Sequence, residues 1–299
     1  MTSPFFSIII PTYNRAHTIK TPIDSIINQT FADWELVIVD DGSTDDTKKI
    51  VESYQDNRIK YVWQENQERS AARNHGIRLA KGEWICFQDS DDAYLPEHLD
   101  VLYNGILENS DYKVIRTGLI IYENGEFSKK STIKSSRYDQ FPFECFTCAS
   151  FHRSLFKEFK FDERFFVSED LHFLLKVGEK HKIKVLPSWT NIYFYNPLSI
   201  GEYGTSYLKN IISQRECLDD ILSWNKTAIL PYISRKRCLT EILMMYGHFR
   251  YKKRMILKAL LDNIRIFFRF PKEYLKLVIR IAYVKIGESY VLYRTQGRF

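Results

Sequence analysis

The sequence predicts an α/β protein: a mixed, mainly parallel sheet flanked by helices, with a helical appendage toward the C-terminal end. Three observations carry this expectation. Apolar β-branched runs alternate with amphipathic stretches over the first 110 residues, acidic residues gather where those runs end, and the pattern turns helical after Gly204.

The elements follow in order. Ser7–Pro11 is a short Ile-rich run of the kind that forms a buried strand. Thr18–Gln29 sets Ile19, Ile23, Ile26 and Ile27 on one helical face. Trp34–Asp40 is a second strand, and Ser43 or Thr44 is expected to cap the next helix, with Asp45 and Asp46 in its first turn. A strand over Ile59–Trp63, a helix over Ser70–Ala80 and a strand over Trp84–Gln88 continue the series. Repeated βα units of this kind imply parallel strands covered on both faces.

From about residue 111 the pattern changes. Short β-like runs occur at Val114–Ile115 and Leu119–Tyr122, with Asn124-Gly125 as a hairpin turn. A helix over Asp170–Lys180 precedes strands over Lys184–Leu186 and Asn191–Tyr195. Helices are expected over Tyr207–Trp224, Ile233–Tyr246, Arg254–Phe268 and Tyr274–Val284. The expected organisation is a domain over 1–204 and a helical, basic amphipathic region over 205–299.

Composition narrows the function. Low Gly and Pro without repetitive tracts exclude collagen-like and mainly disordered chains. No apolar run approaches ~18 residues, so a spanning helix is not expected. Arg15 is the first base and follows the apolar run Phe5–Pro11, the reverse of a secretory signal. Five scattered cysteines suit a reducing compartment, and Cys145 and Cys148, a CxxC without a second pair, read as ordinary thiols. The seven histidines show no metal-ligand spacing with cysteine, and Trp34, Trp63, Trp84 and Trp189 read as core. The net charge of +6 is uneven: residues 250–299 carry 13 Lys/Arg against three acids, so the first 249 residues are slightly acidic.

The acidic groups fall where chemistry is expected. Ligands of open α/β sheets bind at the carboxyl ends of the strands. Asp40 and Asp41 end the second strand, and Asp89-Ser90-Asp91-Asp92 ends the fourth. Such residues also serve as turn formers and caps. Several carboxylates crowded at one strand end repel each other, however, and a hard divalent cation relieves that repulsion. GxGxxG, GxxxxGK[ST] and HExxH are all missing, so dinucleotide, P-loop and zinc-protease chemistries have no basis here.

Five segments then appear in order: SIIIPTYNR (Ser7–Arg15), ELVIVDDGSTDDT (Glu35–Thr47), SAARNHGIRLAKGEW (Ser70–Trp84), FQDSDDAYLPEHL (Phe87–Leu99) and FDERFFVSEDLHFLLK (Phe161–Lys176). Together they resemble the inverting family 2 glycosyltransferases of GT-A fold, over roughly residues 5–200. The resemblance implies that Pro11, Thr12, Tyr13 and Asn14 lie against a nucleotide-sugar. It implies that Asp40, with Asp41 beside it, hydrogen-bonds the base, usually uracil. Arg73 and Asn74 would contact the nucleotide from its other side. Asp89, Ser90 and Asp91 match the DxD segment: Asp91 would hold Mn²⁺ or Mg²⁺ on the diphosphate, while Asp89 shares that site and faces the ribose or sugar. Glu169-Asp170 matches the pair whose Asp is the catalytic base, although acids at a helix start are also simply favourable charges.

The chemistry accounts for these residue types. A nucleoside diphosphate leaves with negative charge that a carboxylate-held cation neutralises. A second, distant carboxylate can take the proton of the acceptor hydroxyl as that oxygen attacks and inverts the anomeric carbon. The expectation is a metal-dependent glycosyltransferase with a UDP-sugar donor and a glycan or lipid-linked acceptor, working in bacterial surface polysaccharide or lipopolysaccharide assembly. It is expected in the cytoplasm at the inner face of the membrane, held peripherally through residues 250–299, without nucleic acid and with homo-oligomerisation open. The alternatives are a sugar-nucleotide nucleotidyltransferase, although Ser7–Arg15 lacks glycine, and a non-catalytic nucleotide- or nucleic-acid-binding protein using the basic tail.

Overall fold

The first apolar run forms strand β1 (Phe6–Thr12), paired in parallel with β2 (Trp34–Asp40) on one side and β4 (Trp84–Phe87) on the other. Strand β2 pairs in parallel with β3 (Ile59–Trp63). The computed structural model describes residues 3–123, 125–130, 146–194 and 205–224. The chain divides into two compact units, Met1–Ile200 and Gly201–Phe299.

Alternation along the strands feeds two cores. Phe6, Ile8 and Ile10 face one side with Leu36, Ile38, Trp84 and Cys86. There they pack on Ile19, Ile23 and Ile26 of α1 (Lys20–Ile27) and on Leu99, Leu102 and Ile106 of α4 (His98–Glu108). Ile9, Val37, Val39, Ile85 and Phe87 face the other side. Their partners include Ala72 of α3 (Glu68–Leu79) and Phe173, Leu174 and Val177 of α5 (Glu169–Lys180). Burial of each large apolar side chain contributes roughly 1.5–3 kcal/mol, so a strand fed by both faces is pinned in register. Register places Thr12 opposite Asp40 and Ile9 opposite Phe87, bringing three strand ends to one edge of the sheet.

The second half of the unit makes the sheet mixed. Strand β8 (Ala149–His152) runs antiparallel to β4 and to β6 (Val114–Glu123), and β9 (Ile183–Phe194) lies parallel to β6. The short β5 (Ala93–Tyr94) pairs antiparallel with β9, completing the order β3-β2-β1-β4-β8-β6-β9-β5. Strand β7 (Glu126–Lys130) folds back on β6, and Gly125 takes φ +86° in that turn, a backbone state that glycine adopts without strain.

Several expectations are corrected. The two runs at 114–122 are one ten-residue strand, and the two at 184–195 are one strand whose register shifts against β6 between Arg116 and Leu119. Helix α2 (Thr47–Glu52) is capped by neither Ser43 nor Thr44. Asp46 is its N-cap residue without a side-chain bond, and Asp45 Oδ1 accepts from Thr47 N–H at 3.0 Å. Ser43 instead accepts from Asn14 N–H. Trp63 is 55% exposed on the edge strand β3, while Trp34 and Trp84 are core. Cys86, Cys148 and Cys217 are buried and form no disulfide; Cys145 lies outside the described residues.

In the second unit, α6 (Thr205–Ser223) carries the buried Cys217, Leu218 and Ile221. The helices expected over 233–246, 254–268 and 274–284 lie outside the described residues. No helix among the described residues is long and apolar enough to cross a membrane.

Candidate active site

A cavity of about 320 Å³ opens where β1, β2 and β4 end. It is lined by Pro11, Thr12, Tyr13 and Arg15 after β1, Asp41 after β2, Asn66, Glu68, Arg69 and Arg73 at the start of α3, Asp89–Asp91 after β4, and Tyr193 and Phe194 at the end of β9. Parallel strands put all their carboxyl ends on one edge, so segments far apart in sequence meet there.

The two carboxylates after β2 part company. Asp40 is fully buried and does not line the cavity: Oδ1 accepts from Ser43 N–H at 2.8 Å and Oδ2 from the Tyr61 hydroxyl at 2.6 Å. Asp41 reaches the wall, and its Oδ1 accepts from Gln64 Nε2 at 2.6 Å and Gln67 N–H at 3.0 Å. Burial, the largest influence, raises the Asp41 carboxyl above its ordinary range against the lowering pull of these bonds. Beside it Thr12 Oγ1 is buried with no partner among the described residues, a hydroxyl left for a ligand.

Asn14 and Asn74 are also drawn away from the cavity lining. Asn14 holds the loop after β2: its N–H donates to Ser43 Oγ and its Oδ1 accepts from Thr44 N–H, both at 2.8 Å. Asn74 clamps the segment before α5, donating to Phe161 O at 2.9 Å and accepting from Phe161 N–H at 3.0 Å. Asn14, Glu68 and Ser168 are the non-glycine residues with positive φ among those described; Glu68 lines the cavity, and Asn14 and Ser168 precede Arg15 and Glu169 in the chain. Backbone held in this region costs of order 1–3 kcal/mol and persists where surrounding structure dictates it.

At the other end, Asp89 and Asp91 both face the cavity. Burial first, and then the charge of Asp89, raise the Asp91 carboxyl; Arg15 and Arg69 oppose this. Two crowded carboxylates with hard oxygen donors fit a Mg²⁺ or Mn²⁺ ion completed by phosphate oxygens. No group of three or more His, Cys, Asp or Glu able to hold a metal occurs among the described residues, so the pair needs ligands from elsewhere. Asp92 is not part of this pair: buried, it accepts from Phe194 N–H at 3.1 Å and ties β9 to the cluster.

Arg73 joins the two acidic segments. Its Nη1 donates to Glu169 Oε1 at 2.6 Å and its Nη2 to Asp89 Oδ1 at 3.3 Å, with Phe146 and Phe161 rings 5.2 and 5.3 Å from the guanidinium carbon. Glu169 is buried, and desolvation pushes its carboxyl upward while Arg69 and Arg73 pull it down. A carboxylate so enclosed is a partner for arginine rather than an open base. Asp170, the next residue, is half-buried, lies outside the cavity lining and accepts the Leu171 N–H at 2.7 Å. Its charge acts on Arg69, which does line the cavity.

Sequence reasoning missed Arg15, Asn66, Glu68, Arg69, Tyr193 and Phe194. Arg15 closes the first motif and Arg69 stands one residue before the third, so both were within reach. Tyr193 and Phe194 pair with Ile121 and Tyr122 of β6, a long-range contact that the loosely matching segment after Tyr193 does not announce.

A crevice across the ends of a 3-2-1-4 parallel core, extended by a mixed half-sheet, is the arrangement of a GT-A fold. Crystal structures of Staphylococcus aureus TarS 1–349 share it. The complex with UDP-GlcNAc has a TM-score of 0.61 at 24% identity, covering 86% of this chain and 77% of that one. The complex with UDP has a TM-score of 0.59 at 24% identity, covering 83% and 72%. Residues 7–160 match Glycosyl transferase family 2, and the chain belongs to that family.

Among curated relatives, the Escherichia coli UDP-Glc:alpha-D-GlcNAc-diphosphoundecaprenol beta-1,3-glucosyltransferase WfgD is 38% identical over 122 residues, 38% of this chain and 48% of that protein. The Campylobacter jejuni GalNAc(5)-diNAcBac-PP-undecaprenol beta-1,3-glucosyltransferase is 33% identical over 181 residues, 56% and 57% respectively. The chain thus spans about half the length of these relatives.

Proposed function

We propose that the protein is a metal-dependent inverting glycosyltransferase that moves a sugar from a UDP-sugar to a hydroxyl of a glycan or lipid-linked acceptor in surface polysaccharide assembly. The observation that carries this reading is one crevice with Asp41 and the unpartnered Thr12 hydroxyl at one end, Asp89 and Asp91 at the other, and Arg15, Arg69 and Arg73 lining it. The relatives' names, each including a diphosphate-linked undecaprenol acceptor, support the acceptor class.

In this reading Asp41, rather than Asp40, meets the base, because Asp40 has both oxygens engaged inside the protein. Asp89 and Asp91 hold Mn²⁺ or Mg²⁺. A cation held there would supply positive charge against that developing on the departing diphosphate. Arg15 and Arg69 add positive charge along the diphosphate's path. Asp170 takes the acceptor proton, and Glu169 acts through Arg73, fixing the guanidinium that also steadies Asp89. Residues 1–204 supply the catalysis. Residues 205–299 include the basic tail that holds the enzyme at the inner face of the membrane or against another subunit.

Isothermal calorimetry tests the donor side. UDP is expected to bind in Mn²⁺ and to lose most of its affinity in EDTA, and Asp91→Ala is expected to bind equally weakly in both. Equal UDP affinity of the unaltered protein with and without the metal would remove the metal assignment.

A further inference from the structure

Behind the cavity wall a hydrogen-bonded chain runs from His75 on α3 through Gln64 to Asp41. His75 Nδ1 lies 2.6 Å from Gln64 Oε1, and Gln64 Nε2 lies 2.6 Å from Asp41 Oδ1. The direction of the chain follows from chemistry. An ionised carboxylate only accepts, so the Gln64 amide must present its NH₂ to Asp41 and its carbonyl to His75. A carbonyl facing Nδ1 requires a proton there. Burial, then the charges of Arg78 and Lys60, hold His75 below the ordinary histidine range, so the neutral ring carries its proton on Nδ1. The backbone of Gln64 is itself pinned, its N–H donating to Asp40 O at 2.9 Å.

We propose that Gln64 and His75 are positioning residues for base selectivity: by fixing the Gln64 amide they keep Asp41 an acceptor aimed at the cavity, so the base site takes a ring N–H donor. Uracil offers such an N–H at N3, where cytosine offers a lone pair. This rests on the UDP-sugar reading and adds the residues that enforce it. Neither residue lines the cavity, so neither touches the ligand. Gln67 N–H also donates to Asp41 Oδ1, but it would do so for either amide orientation and does not set the selectivity. With His75 unable to donate, the Gln64 amide can rotate and turn its carbonyl toward Asp41, which loses a fixed donor and holds a ring N–H less well; CDP makes no such bond and is affected less.

Calorimetry of UDP and CDP in Mn²⁺ tests the proposal on the full chain. The unaltered protein is expected to prefer UDP. His75→Leu and Gln64→Leu are expected to lower the UDP/CDP affinity ratio about tenfold, the worth of one hydrogen bond to a charged group. His75→Asn sets an amide NH₂ where Nδ1 stood and is expected to retain the ratio. A structural role alone would weaken both nucleotides together and leave the ratio unmoved. Ratios in His75→Leu and Gln64→Leu within twofold of the unaltered protein would overturn the proposal, as would loss of the ratio in His75→Asn. If Gln64→Leu does not fold, the His75 pair decides. An unaltered protein that binds both nucleotides equally would instead overturn the UDP reading, and this inference with it.

Discussion

At the scale of single residues, adjacent acids take opposite roles because neighbouring side chains on a strand or helix start point to different surroundings. Asp40 turns inward to Tyr61 and Ser43, while Asp41 reaches the cavity. Glu169 turns inward to Arg73, while Asp170 stays half-buried. Asp170→Asn is therefore expected to lower turnover by ~10²–10⁴, the usual worth of a general base, with UDP affinity unchanged. Near-normal transfer by that variant would move the base elsewhere. Asp162 gives a pH signature outside the site. Arg164, bonded to it through Nε at 2.9 Å and Nη2 at 2.7 Å, holds its carboxyl down to about 2 against an ordinary 3.8. A depressed acid stabilises the fold above the unfolded value and loses that contribution as pH falls from 3.8 through about 2. With Arg164 largely exposed, the loss should be on the order of 1 kcal/mol. Melting curves of Asp162→Asn should then fall less steeply between pH 4 and 2 than those of the unaltered protein (roughly the window of the two values).

At the scale of elements, α3 carries much of the site: Glu68, Arg69 and Arg73 line the cavity from its first turns, and His75 backs Asp41. The helix can lie this close to β1 because Gly76 has no side chain; a Cβ there would stand 2.4 Å from Ile9 Cγ2. Gly76→Ala should wedge helix from strand, costing ~1–3 kcal/mol as overpacking does, and displace both arginines. Denaturant unfolding and UDP binding should weaken together. A stable variant with weakened binding, or the reverse, would separate the helix's packing from its positioning of the site. The FDE segment before α5 is held the same way from a distance, by Asn74 on α3 bonding Phe161 in both directions. One helix thus links the Asp41 side of the crevice to the segment leading into Glu169-Asp170.

At the scale of the whole chain, charge is divided: residues 1–249 are slightly acidic and residues 250–299 carry +10. Anionic lipid attracts surface-bound bases with about 1 kcal/mol each, so a cluster of them suffices for peripheral attachment. Full-length protein should co-sediment with anionic vesicles and not with neutral ones, and a chain ending near Tyr246 should remain in solution. Equal sedimentation of the two forms would mean that the tail packs on protein instead.

The βα order, the parallel half of the sheet and the acids that end β2 and β4 were legible in the sequence, because period-two and period-3.6 patterns and strand-end acids are local signals. Helix α4 was legible too, in the spacing of Leu99, Leu102 and Ile106, yet it stood inside a motif and went unread. Which acid of the first pair reaches the cavity was not legible: Asp40 and Asp41 differ by one residue, and only the arrival of Tyr61 and Gln64 from β3 and its flank tells them apart. The same holds for β8 and β9, whose places depend on pairing with β4 and β5, far back in the chain. Local pattern determines what a segment becomes, since it rests on neighbours in the chain. Tertiary packing decided what each side chain does, since burial and hydrogen-bond partners come from segments that sequence distance leaves unspecified.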